Sequence, residues 1–277
     1  MKLLRWGERG AERPGVLDAK GRIRDLSPIF EDLNGTTLGR LGEITDVERL
    51  QVVQGSPRIG ACVGSVGKMI CIGLNYTDHA AEAGLAVPAE PIIFFKATSS
   101  ICGPDDDLVL PKGSSKVDWE VELGVVIGRA LTCVDESEAR RGIAGYCVIN
   151  DISERGWQLE RGGQWVKGKS ADGFGPMGPW LVTADSVKDA TALRLWLEVD
   201  GHRYQDSSTA QMIFKPAFLV SYLSQFMSLQ PGDVISTGTP PGVGLGLKPP
   251  VYLRAGQVMR LEIDGLGVQT QRVVAHS

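Results

Sequence analysis

The stretch SSKVDWEVELGVVIG, residues 114–128, sets Asp118, Glu120 and Glu122 directly against an apolar run of Leu123, Val125, Val126 and Ile127. A run of this kind, rich in β-branched residues and bounded by glycine, reads as a strand entering a core. Extended chain turns residues i and i+2 to the same face, so Glu120 and Glu122 would lie side by side, with Asp118 one step earlier. On an exposed face such a pair needs no relief. On a buried face it calls for a shared proton, arginine partners, or a divalent cation that takes both carboxylates as ligands.

Working outward, further strands are expected at KMICIGLNY, PIIFFKATSSICGP, GYCVINDI and PGDVISTG, with short helices at TDHAAEAGL, DESEARRGI and KPAFLVSYLSQFMSL. LRLWLEVDGHRYQDSST alternates apolar and polar residues on both sides of Asp200-Gly201, a hairpin signal, and VMRLEIDGLGVQTQRVV closes the chain with a second hairpin. Residues 1–65 look like a small module of two strand-like segments, MKLLRW and GVLDAKGRIRDL, and a short helix at DVERLQVV. The expected division is a small N-terminal α/β module at 1–65 and a main domain at 66–277. Many strands, few and short helices and no regular βαβ alternation point to an α+β protein with a mixed, rolled sheet.

Composition narrows the function classes. The 277 residues carry a net charge of −4, so there is no basic field to attract nucleic acid. No apolar run reaches the length of a membrane span, and MKLLRWGERG is too short in apolar residues for a signal peptide; a cytoplasmic location is expected. The five cysteines are scattered, without CxxC spacing, and read as small buried hydrophobes in a reduced protein. The glycine-rich GTPPGVGLG lacks the Lys-Ser/Thr of a phosphate loop and the spacing of a dinucleotide fingerprint.

A third acid, Asp151 in YCVINDISERGWQ, is placed where a buried strand ends, which is where ligand-binding groups collect in sheet proteins. With Glu120 and Glu122 it would supply three hard oxygen ligands, a set that suits Mg²⁺ or Mn²⁺ better than Zn²⁺. Of the three histidines, His202 sits beside a hairpin turn and His276 one residue from the end of the sequence, whereas His79 falls in an expected short helix with Glu82 at i+3 on the same face. A carboxylate beside an imidazole raises its basicity and orients it for general-base work.

GLNYTDHAAE, IIFFKATSSICGP, DWEVELGVVIG, NDISERGWQ, GKSADGFGPMGPW and STGTPPGVG occur in this order. Together they resemble the fumarylacetoacetate hydrolase superfamily across about residues 66 to 275. The N-terminal module looks like that of bacterial members named as ureidoglycolate lyases or 2,4-diketo-3-deoxy-sugar-acid hydrolases. The resemblance implies a mixed β-sandwich roll, a homodimer, and one Mg²⁺ or Mn²⁺ per active site. By similarity Glu120, Glu122 and Asp151 are the metal ligands, and His79, Glu82 and Lys169 are catalytic. Arg155, Gln158, Thr239, Tyr76 and Lys96 are expected to face substrate. Asp118 falls outside the family's ligand set and is left without a role.

The resemblance also implies a reaction. A 2,4-diketo acid of the acylpyruvate type, such as a 2,4-diketo-3-deoxy sugar acid, would be hydrolysed at a C–C bond to pyruvate and a second carboxylic acid. Oxaloacetate decarboxylation or ureidoglycolate cleavage through the same enolate chemistry is the nearest alternative, and a non-catalytic cation-binding scaffold is the alternative outside enzymes.

Overall fold

The computed structural model describes residues 1–84 and 86–276. Among them, ten strands form one mixed sheet. Its main path runs Ile23–Asp25, Arg13–Leu17, Lys2–Trp6, Gly175–Thr183, Ile143–Asn150, Val121–Ile127, Val234–Ser236, Met69–Gly73 and Ile92–Lys96. A five-stranded sheet packs against it, in the order His202–Ser208, Arg194–Val199, Val258–Ile263, Gly267–Val274, Leu108–Val109. Helices are few and short, chiefly Thr77–Ala83, Glu136–Gly142 and Pro216–Ser224. The expected α+β sandwich roll is the observed architecture.

The strand Val121–Ile127 is buried along its whole length, which is why its sequence is nearly continuous in apolar residues. Val121, Leu123, Val125 and Ile127 point into the core between the two sheets, with Leu195, Leu197, Met259 and Leu261. Val126 points the other way, into a second core with Cys71, Cys147 and Ile149. That second core also holds Leu3, Val16, Leu26 and Phe30, and the strand Lys2–Trp6 pairs antiparallel with Gly175–Thr183. The segment 1–65 thus extends the large sheet. Where a short helix is expected in DVERLQVV, the chain forms a 3-10 turn, Val47–Arg49.

Two local features differ from simple alternation. The strand expected to run from Asp118 onward is interrupted: Val117–Asp118 pairs with Ser153–Glu154, and the next strand starts at Val121. Trp119 and Glu120 occupy the gap, where the Glu120 amide donates to Asn150 Oδ1 (3.2 Å) and the Val121 amide to Gln205 Oε1 (3.0 Å). The Asp200-Gly201 hairpin forms as expected, both residues having positive φ, 50° and 79°. Cys62, Cys71, Cys102 and Cys147 are buried thiols and Cys133 is exposed.

Candidate active site

Strand register brings the acids together. Ile149 lies opposite Glu122 and Asn150 opposite Val121, so the end of one strand delivers Asp151 to the start of its neighbour. The Asp151 amide donates to the Glu120 carbonyl at 2.9 Å, closing the junction. Glu120, Glu122 and Asp151 each offer an oxygen within 4.8 Å of the others. All three are buried, at 6%, 2% and 0% exposure, which removes the reading of an exposed acidic face.

Burial of this much charge is offset by a fixed set of partners. Lys169 Nζ donates to Asp151 Oδ2 at 2.6 Å and to Glu120 Oε2. Lys96 Nζ donates to Asp151 Oδ1 (2.6 Å) and to the Ile152 carbonyl (2.9 Å). The Arg155 guanidinium donates to Glu120 Oε1 (2.7 Å), Asp118 Oδ2 (2.8 Å) and Gln158 Oε1 (3.0 Å). Glu122 has no cationic partner among the described residues; it accepts from the Ser236 hydroxyl (2.6 Å) and the Gly238 amide (2.9 Å).

The protonation preferences follow. Burial opposes ionisation of Glu120, but Arg155 and Lys169 outweigh it and hold that carboxyl below the usual range. Burial, with Asp151 and Glu120 close by, pushes the Glu122 carboxyl up. Burial would lower the Lys169 ammonium, yet Asp151 and Glu120 keep it above its ordinary range. Asp118, Glu120, Glu122 and Asp151 face Lys96, Arg155 and Lys169, four acids against three bases. A hard, all-oxygen donor set with one excess negative charge fits a divalent cation such as Mg²⁺ or Mn²⁺.

These groups open onto a cleft of about 470 Å³. Glu120, Glu122, Arg155, Gln158, Lys169 and Thr239 line it, together with His79 and Glu82 from the helix Thr77–Ala83. His79 Nδ1 lies 3.2 Å from Glu82 Oε2, which leaves Nε2 as the ring's other edge. Thr239 Oγ1 donates to the Val121 carbonyl (2.9 Å) and accepts from Gln205 Nε2 (2.9 Å). Tyr76 and Lys96 do not line the cleft: Tyr76 is fully buried in the inter-sheet core, and Lys96 lies behind Asp151.

The residues that sequence reasoning missed act at long range. Asp118 accepts from the Gly244 amide (2.7 Å), the Leu245 amide (3.0 Å) and the Trp119 amide (2.8 Å), besides Arg155. It therefore fixes the glycine-rich segment and the guanidinium on Glu120 at once. Glu82 has a second task, accepting from the Gly242 amide at 3.1 and 3.2 Å. Ser236 and Gly238 were within the STGTP motif, but only their contact with Glu122 gives them a role.

The comparisons with known proteins cover the same ground. A Burkholderia ambifaria protein named "Putative hydrolase" is 64% identical over 276 residues, 98% of each chain. Among solved structures, fumarylacetoacetate hydrolase from psychrophilic Exiguobacterium antarcticum is 35% identical, with a TM-score of 0.91 over the whole of both chains. Maleylpyruvate hydrolase from Sphingobium sp. SYK-6, in complex with manganese(II) ion and pyruvate, is 27% identical, with a TM-score of 0.80, again over all of both chains. Residues 68–274 match the family model described as Fumarylacetoacetate (FAA) hydrolase C-terminal, a span that runs from the Met69 strand to the last hairpin and contains every acid, base and helix of the cleft. The chain belongs to the fumarylacetoacetate hydrolase family.

Proposed function

We propose that this protein is a metal-dependent hydrolase that cleaves a C–C bond of a 2,4-diketo acid of the acylpyruvate type, giving pyruvate and a second carboxylic acid. The observation that supports this reading is one cleft holding both a buried three-carboxylate cage and a His79–Glu82 pair. Glu120, Glu122 and Asp151 would hold the cation, Mg²⁺ or Mn²⁺. When bound, it would supply Lewis-acid polarisation of the substrate's 2-oxo acid end.

The side chains carry the rest. Glu82 on Nδ1 orients the imidazole, so His79 Nε2 takes a proton from water as the water oxygen bonds to C4 of the substrate. The C3–C4 bond then breaks, its electron pair passing to the pyruvate enolate, and the proton returns to C3. Lys169, a firmly charged ammonium, stabilises the negative charge that develops. Arg155 and Gln158, bonded to each other, would orient the substrate carboxylate.

The test is loss of the diketo acid's ultraviolet absorbance across a panel of acylpyruvates and diketo-deoxy sugar acids, with Mg²⁺ and with chelator. Hydrolysis should require the metal, and His79→Ala should lower turnover by ~10²–10⁴-fold while metal binding is kept. Equal rates in His79→Ala and wild type would remove the attacking-water mechanism. A metal-dependent decarboxylation of oxaloacetate that survives that substitution would replace it.

A further inference from the structure

The basic side chains lining the cleft, among the described residues, are His79, Arg155, Lys169 and Lys248. Three of them meet a carboxylate: His79 meets Glu82, Arg155 meets Asp118 and Glu120, and Lys169 meets Glu120 and Asp151. Lys248 forms no ion pair among the described residues. It is exposed, whereas Glu120, Glu122 and Lys169 are buried, so the cleft has a charged floor and a single unmatched cation at its mouth.

Much of the rest of the lining is carbon, from Leu74, Phe94, Leu159, Trp165, Val243 and Leu245, with His79, Glu82, Gln158 and Thr239 as its polar groups. The segment bearing Lys248 is not a loose loop, because Gly242, Gly244 and Leu245 are tied by their amides to Glu82 and Asp118. The Trp119 indole also donates to the Gly242 carbonyl at 3.1 Å. Hydroxyl groups laid against the apolar side chains would lose water without gaining partners there, whereas methylenes would be favoured. An anionic group at the end of a carbon tail would meet the lysine.

We propose that Lys248 is a specificity residue that reads a terminal carboxylate on the acyl portion of the substrate. The preferred substrates are then acylpyruvates whose apolar tail ends in a second carboxylate, ahead of polyhydroxylated sugar acids. This rests on the acylpyruvate reading of the site, with the pyruvate end on the charged floor and the acyl tail running outward. Lys248 touches no reacting atom; it selects among substrates through kcat/KM.

A matched pair tests it. Succinylpyruvate and butanoylpyruvate differ at the tail terminus, carboxylate against methyl. With the full-length Mg²⁺-loaded enzyme at low ionic strength, succinylpyruvate should be favoured in kcat/KM by about fivefold or more, a modest factor because the lysine is exposed. The preference should shrink as salt is added. Lys248→Met should bring the ratio towards one, and Lys248→Arg should keep most of it. A wild-type ratio near one, or the same ratio in wild type and Lys248→Met, overturns the proposal. If wild type cleaves neither compound, the acylpyruvate reaction is what fails. Calorimetric binding of succinylpyruvate then decides for Lys248: weaker binding to Lys248→Met than to wild type supports its role, and equal or absent binding overturns it.

Discussion

Asp118 draws four donors to one buried carboxylate: the amides of Trp119, Gly244 and Leu245 and the Arg155 guanidinium. Asparagine matches its shape but is neutral and turns one acceptor oxygen into a donor, leaving Arg155 with Glu120 alone. Removing one member of a buried charge pair costs on the order of 3 kcal/mol. Asp118→Asn should therefore lower Tm by several degrees in thermal unfolding; an unchanged Tm would show that the network reorganises freely. Nothing in the local pattern announces this role. Alternation placed Asp118 on the face of Glu120 and Glu122, and the break at Trp119 and Glu120 turned it instead towards partners far along the chain. Glu120, Glu122 and Asp151 were legible because register in a sheet follows from period-two patterning. A carboxylate whose partners are loop amides leaves no periodic trace.

At the scale of elements, the helix Thr77–Ala83 and the segment 242–246 behave as one wall of the cleft, joined by Glu82 and the Gly242 amide. Gly242 has φ of +96°, and a Cβ there would lie 1.9 Å from the Tyr204 carbonyl oxygen. Gly242→Ala must displace that backbone and with it the anchor of the His79 helix. The expected outcome is a lower Tm together with a raised KM, measured by steady-state kinetics; wild-type values of both would show the wall to be independent of this contact. The helix itself was readable from His79 and Glu82 at i and i+3 and from Gly84 at its end. Its attachment was not, because GTPPGVGLG reads only as a glycine-rich loop until its amides are seen to be occupied.

Over the whole molecule, the cage is a defect in an otherwise apolar sheet, and its cost depends on what shares it. Burial and the neighbouring Asp151 and Glu120 raise the Glu122 carboxyl, so the folded chain holds that proton more tightly than the unfolded one. The stability this confers is present below the unfolded value and is lost as pH rises through the folded value. Glu120, held low, stays ionised across that window. A divalent cation held by the proposed ligands would take the place of the proton, so the rise in Tm on adding Mg²⁺ should be larger at about pH 8 than at about pH 5.5. An equal or smaller rise at the higher pH, by calorimetry, would contradict this. Most strands of the large sheet were legible from the sequence, but Gly175–Thr183 was not read as one and the order was not foreseen: Lys2–Trp6 pairs with Gly175–Thr183, a partner that no local pattern names. The pairing of Ile149 with Glu122 carries a consequence for how such a chain can change length. Losing a single residue from Val121–Ile127 would swap the faces on one side of the gap, setting Glu122 against the inter-sheet core or valines into the layer that Glu122 occupies. A change of two would keep the faces but slide Glu122 by about 7 Å from the strand end that carries Asp151, so the length of this pair is fixed on both counts.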